Sequence, residues 1–115
     1  MSSDSLPIIA KSYELYKQIV EINSNVQKRW RYGICVILEK TILEFISNLI
    51  TANSAPKTHR QLYLLKANAQ LEIIMLHVRI YMEFKITNQT KLYQIQSLTQ
   101  EIGRMLGGWI KANNF

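Results

Sequence analysis

Apolar residues recur at every third or fourth position along most of this 115-residue chain, and short polar breaks interrupt the rhythm at three places. The first periodic segment runs from about Pro7 to Asn23. Ile8, Leu15, Ile19, Ile22 and Val26 form its stripe, and Ile9, Tyr13, Tyr16 and Val20 widen it. Asp4 and Ser5 are capping residues ahead of a proline suited to a first helical turn. After the polar run Asn23 to Gln27, a second segment from about Trp30 to Ala52 carries Cys35, Leu38, Ile42, Phe45 and Leu49 at steps of three and four. That is the seam of a helix facing other helices. Asn53, Ser54 and Pro56 break it.

A third segment, about Thr58 to Lys85, places Leu62, Leu65, Ala69, Ile73, Leu76, Ile80 and Phe84 on one side, which the bundle reading assigns to the core. Thr87, Asn88 and Thr90 connect it to a fourth with Leu92, Ile95, Leu98, Ile102, Leu106 and Trp109 in register. No period-two alternation bounded by hairpin turns occurs. Short breaks make sequential helices pack antiparallel. The pattern therefore predicts an all-α, up-down four-helix bundle forming one domain over 1–115, with helices at about 7–23, 30–52, 58–85 and 90–111.

Composition narrows the function classes. A single Cys35 cannot form an internal disulfide, which suits a reducing cytoplasm. The start MSSDSLPIIA has no basic n-region and is not read as a signal peptide. Glu39, Lys40 and Glu44 interrupt the most apolar segment, so no membrane helix is expected. His59 and His77 are 18 residues apart on one helix, about 27 Å, too far to share a metal. With no paired acids, Glu-x-x-His motif or glycine-rich phosphate loop, neither an enzyme nor a metal or other cofactor is expected.

Charge points instead to a polyanion. Fourteen Lys and Arg against eight Asp and Glu give +6, and the excess is clustered. Gln27-Lys28-Arg29-Trp30-Arg31-Tyr32 holds three cations and two aromatics in six residues. At the start of a helix these cations oppose the macrodipole unless an anion is nearby, and cations with aromatic rings suit a nucleic-acid backbone and an unstacked base. The alternative is a solvated loop whose Trp30 closes the bundle end. Arg60 and Lys66 fall in the acid-free interval between Glu44 and Glu72. Arg79 has Glu83 four residues on, and Arg104 has Glu101 three residues before it, so by spacing alone each forms a surface ion pair. Gly103 and Gly107 share a face of the fourth helix, a spacing that favours close approach of another backbone, with Trp109 continuing the apolar pattern.

These residues carry a family resemblance. The segment EIGRMLGGWIK, Glu101 to Lys111, resembles the end of the accessory variability determinant proteins of diversity-generating retroelements. Those proteins belong to a wider four-helix-bundle family that includes proteins encoded in ribosomal-RNA intervening sequences. LITANSA resembles the family's junction before the third helix, and KANAQLEIIMLHVRIY resembles that helix, in which an arginine recurs at the place of Arg79. Gly-Trp-Ile after Met-Leu favours the retroelement branch.

The resemblance implies a non-enzymatic subunit, the protomer of a barrel-shaped homopentamer, that binds a reverse transcriptase and RNA or DNA during mutagenic retrohoming. It also carries Arg79 and Arg104 over as binding residues. Together with the basic residues read from the sequence, the candidate binding set is Lys28, Arg29, Arg31, Arg60, Lys66, Arg79, Arg104 and Lys111, with Gly103, Gly107 and Trp109 as candidates for oligomer contacts or close helix packing. The alternative from the same family is an oligomeric interaction protein of the intervening-sequence type, without a polymerase partner.

Overall fold

The computed structural model describes residues 6–114. The described chain is helical throughout: α1 (Pro7–Asn23), α2 (Lys28–Arg31), α3 (Ile34–Ser54), α4 (Lys57–Glu83) and α5 (Gln89–Asn113). The four long helices pack as an antiparallel bundle measuring 45 × 22 × 21 Å. Neighbours around it are α1–α3, α3–α4, α4–α5 and α5–α1, so α1 lies diagonally across from α4.

Three of the four predicted stripes are the buried ones, except that Tyr13 and Val20, expected to widen the first, are exposed. Leu15, Ile19 and Ile22 of α1, the seam from Cys35 to Leu49 of α3, and Leu92, Ile95, Ile102 and Leu106 of α5 meet in one core. Pro7 occupies the first turn of α1 as expected, while Asp4 and Ser5 lie outside the described residues. The second predicted helix does not begin at Trp30. Lys28–Arg31 form a separate turn, and α3 starts at Ile34, beyond a break at Tyr32 and Gly33.

The third stripe requires correction. The side of α4 that enters the core is Leu64, Ala67, Leu71, Ile74, Val78 and Tyr81. Leu62, Leu65, Ile73, Leu76, Ile80 and Phe84, expected inside, are exposed. Both sets repeat at three and four residues, so periodicity cannot rank them. The buried set includes small Ala67 and hydroxyl-bearing Tyr81, and hydrophobicity alone favours the other.

Tyr81 enters the core because its polar atom is matched. Its hydroxyl donates to Asn23 Oδ1 at 2.8 Å, and Asn23 Nδ2 donates to Glu39 Oε2 at 2.8 Å, tying α4, α1 and α3 at one height. Buried Ser12 and Thr99 are satisfied within their own helices, by the carbonyls of Ile8 and Gln96. Lys11 pairs with Glu101 at 3.0 Å across α1 and α5, and Asn48 Nδ2 donates to Gln70 Oε1 at 2.8 Å across α3 and α4.

The end of α4 sets the geometry of one end of the bundle. Lys85 takes the left-handed conformation (φ 52°). Its N–H bonds Met82 O at 3.2 Å, and the Ile86 N–H bonds Tyr81 O at 3.0 Å, while the Ile86 side chain is buried. This paired arrangement is a Schellman termination. It leaves Phe84 and Lys85 exposed at the turn. Asn88 then caps α5, its Oδ1 accepting from Lys91 N at 2.9 Å.

Candidate nucleic-acid interface

The turn α2 displays its cations unequally. Arg31 folds back: its Nη2 donates to Val26 O at 2.8 Å and to Ser24 O at 3.3 Å, carbonyls just past the end of α1. A guanidinium there complements the negative end of the helix dipole. Arg31 is thus held by the fold. The expected conflict between these cations and the dipole of a long helix does not arise, because α3 begins three residues later, with no charge in its first turn.

Lys28 and Arg29 remain exposed. Arg29 lies over the Trp30 ring, 4.3 Å from its centroid, and Trp30 packs on Phe84 at 5.6 Å with the planes tilted by 39°. Because α4 ends here, the exposed Phe84 and Lys85 adjoin the turn, and Tyr32 is exposed beside it. Half-buried Trp30 is therefore the centre of a group of cations and aromatic rings contributed by two segments far apart in sequence. Such a group can neutralise phosphates and offer a ring face to an unpaired base.

The other cations do not join it. Arg60 is committed to the opposite end, where Nε donates to Ala52 O at 2.8 Å and Nη2 to Ala55 O at 3.0 Å, closing the last turn of α3. Lys66 lies over the Tyr63 ring at 5.8 Å. Lys111 is exposed in the last turn of α5, where a cation suits the dipole. Arg79 makes the expected pair with Glu83 at 3.5 Å, but with 71% and 55% of the side chains exposed the pair adds little stability and leaves the guanidinium accessible.

Arg104 departs from its spacing. Glu101 pairs with Lys11, and Arg104, exposed, makes no hydrogen bond or ion pair among the described residues. Arg79 lines a groove with Glu72, Met75, Leu76 and Gln96. Arg104 lies eight residues beyond Gln96 on α5, about 12 Å along the axis. Eight residues also turn it by about 80°, so Arg79 faces the α4–α5 groove while Arg104 points away from the core on the outer side of α5.

The glycines of α5 do not serve close packing inside the chain. A Cβ at Gly103 would meet Leu71 Cδ2 at an ordinary 3.6 Å, and one at Gly107 would meet nothing within 4 Å. Trp109 packs partly against the core and lines two grooves, one beside Leu6, Pro7 and Ile8, the other beside Lys57 and Arg60.

Phe84, Tyr32 and Lys85 fall outside the binding set that the sequence suggests. Phe84 belongs to the apolar stripe expected in the core, and the one cue to its exposure is its place next to the Lys-Ile-Thr-Asn break. No described helix is long and apolar enough to cross a membrane.

A comparison with curated proteins finds no match. Residues 7–113, from the first turn of α1 to the end of α5, match the bAvd-like family, and the chain belongs to that family.

Proposed function

We propose that this chain is a non-catalytic accessory subunit of a diversity-generating retroelement. In this reading it acts in the cytoplasm as a homopentameric barrel, binding the element's reverse transcriptase and its template RNA or DNA in support of mutagenic retrohoming. The observation that carries the reading is membership of the bAvd-like family over nearly the whole chain. The accessible cations support the nucleic-acid part: Lys28 and Arg29 on the aromatic group, Arg79 in the α4–α5 groove, Arg104 on the outer side of α5, and Lys66 and Lys111. Arg31 and Arg60 serve chiefly to hold helix ends. Gly107, open to solvent, and Trp109 are available to a neighbouring copy. Five copies at +6 each form a strongly basic assembly, whose self-repulsion a bound polyanion relieves.

Fluorescence anisotropy with single-stranded RNA and DNA across a salt series tests this. Affinity should fall steeply with salt, and the Lys28→Ala/Arg29→Ala variant should flatten the log–log slope by roughly 0.7 for each phosphate that is no longer neutralised. A slope and affinity equal to those of the unmodified chain would remove this end of the bundle from the interface. Arg79→Ala should weaken capture of the reverse transcriptase or template with helicity intact. Should it lower only the melting temperature, the Glu83 pair is its whole role. A reverse-transcriptase gene flanked by template and variable repeats beside this gene favours the retroelement role over the intervening-sequence one.

A further inference from the structure

The exposed side of α4 carries Leu62, Leu65, Ile73, Leu76 and Ile80, each 37–57% exposed. At 100° per residue they centre almost opposite the buried set, so the stripe points straight out from its corner of the bundle.

A second exposed apolar set lies elsewhere. Tyr13 and Val20 of α1, with Val36, Leu43 and Ile50 of α3, are each 39–57% exposed. Glu14, Gln18 and Glu21 line the groove toward α5, so Tyr13 and Val20 occupy the flank of α1 that faces α3. Asn48 bonds Gln70 on the α4 side of α3, so Val36, Leu43 and Ile50 occupy its other flank. The Asn23–Glu39 hydrogen bond sets the antiparallel register and brings Val20 level with Leu43 and Tyr13 level with Ile50. The two helices thus share one apolar face.

Each face presents on the order of 400 Å² of apolar surface, within the range of the largest patches on single chains, which are often functional. With the usual polar share of an interface this corresponds to roughly 800 Å² per partner, the area a stable protein interface buries. A two-fold pairing made through either face would leave the other uncovered on every copy. A head-to-tail pairing covers both. Because α4 is diagonal to α1 and adjacent to α3, the two faces point obliquely rather than back to back. Successive copies therefore turn at each joint, as a closed ring requires.

We infer that the outward stripe of α4 docks on the α1–α3 face of a second copy of this chain, head to tail. The inference rests on the self-assembly proposed above and names the two surfaces that make it.

The test uses the full chain and light scattering at matched concentration. Leu65→Glu/Ile73→Glu blocks the stripe, and Leu43→Glu/Ile50→Glu blocks the α1–α3 face. Each variant alone should run at the single-chain mass of 13.4 kDa with unchanged helicity. An equimolar mixture should recover a two-chain species, because one good stripe then meets one good face and neither end can extend. Where a glutamate pair also lowers helicity, the matching glutamine pairs carry the same test.

If the unmodified chain is itself a monomer, the assembly reading and this inference fall together. If the unmodified chain is oligomeric but the variants keep its mass, or if the mixture stays monomeric, the assembly reading stands and the head-to-tail pairing is overturned.

Discussion

Removing the Tyr81 hydroxyl isolates the polar knot that registers three helices. Tyr81→Phe keeps the buried ring and deletes one oxygen. That oxygen donates to Asn23 Oδ1 at 2.8 Å and lies 3.1 Å from Cys35 Sγ. The one hydroxyl proton is shared between these two acceptors, the Asn23 oxygen and the Cys35 sulfur. After the substitution Asn23 Oδ1, itself buried, loses its donor, which costs about 1–3 kcal/mol. For a chain of this size that lowers Tm by roughly 5–10 °C. Calorimetry at fixed protein concentration reads the loss, since assembly makes Tm concentration-dependent.

The same group predicts a pH dependence. Burial, and then the bond with Cys35, push the Tyr81 phenol far above its ordinary value. The folded chain therefore keeps this proton after the unfolded chain has released it. The stabilisation is complete below about pH 10, the ordinary tyrosine value, and is lost as pH rises beyond it. Tyr81→Phe should reduce that alkaline decline. If Tyr81→Phe leaves both Tm and the alkaline slope unchanged, the hydroxyl is not bonded in the core as described.

Other expectations follow from single positions. Arg60→Ala removes two charge-assisted bonds to the end of α3 and should cost about 1–2 kcal/mol in thermal unfolding while changing nucleic-acid affinity little. A large loss of affinity without a change in Tm would reverse the roles assigned to Arg60 and Arg29. Lys85→Gly relieves a left-handed conformation and should raise stability by about 1 kcal/mol in the same assay. Gly107→Ala adds a Cβ into open space on a helix and should stabilise by up to about 1 kcal/mol. A fall in assembled mass measured by light scattering would instead show that a neighbouring copy approaches Gly107 closely.

The candidate site was legible where it depended on neighbours in sequence. Lys28, Arg29 and Trp30 cluster within three residues, so the basic aromatic turn was visible as such. Its completion was not, because Phe84 reaches Trp30 only through the antiparallel return of α4 and the reversal at Lys85. Arg31 and Arg60 look in sequence like any other exposed cation. Their commitment to carbonyls at helix ends depends on where the chain turns. Glu101 had two basic residues within reach in space and only one of them in sequence, and the distant Lys11 is its partner.

Sequence by itself determined that the chain forms long helices, where α1, α3 and α5 bury their seams, and that the breaks force antiparallel packing, since helical period, proline and short polar turns are local properties. Tertiary structure alone decided which of two equally periodic sides of α4 enters the core. Hydrophobicity alone favours the side of Leu65 and Ile73, yet the choice falls to the side on which Ala67 lies fully buried and Tyr81 finds Asn23. That choice leaves Leu65 and Ile73 facing outward, on the surface a second copy of the chain would cover.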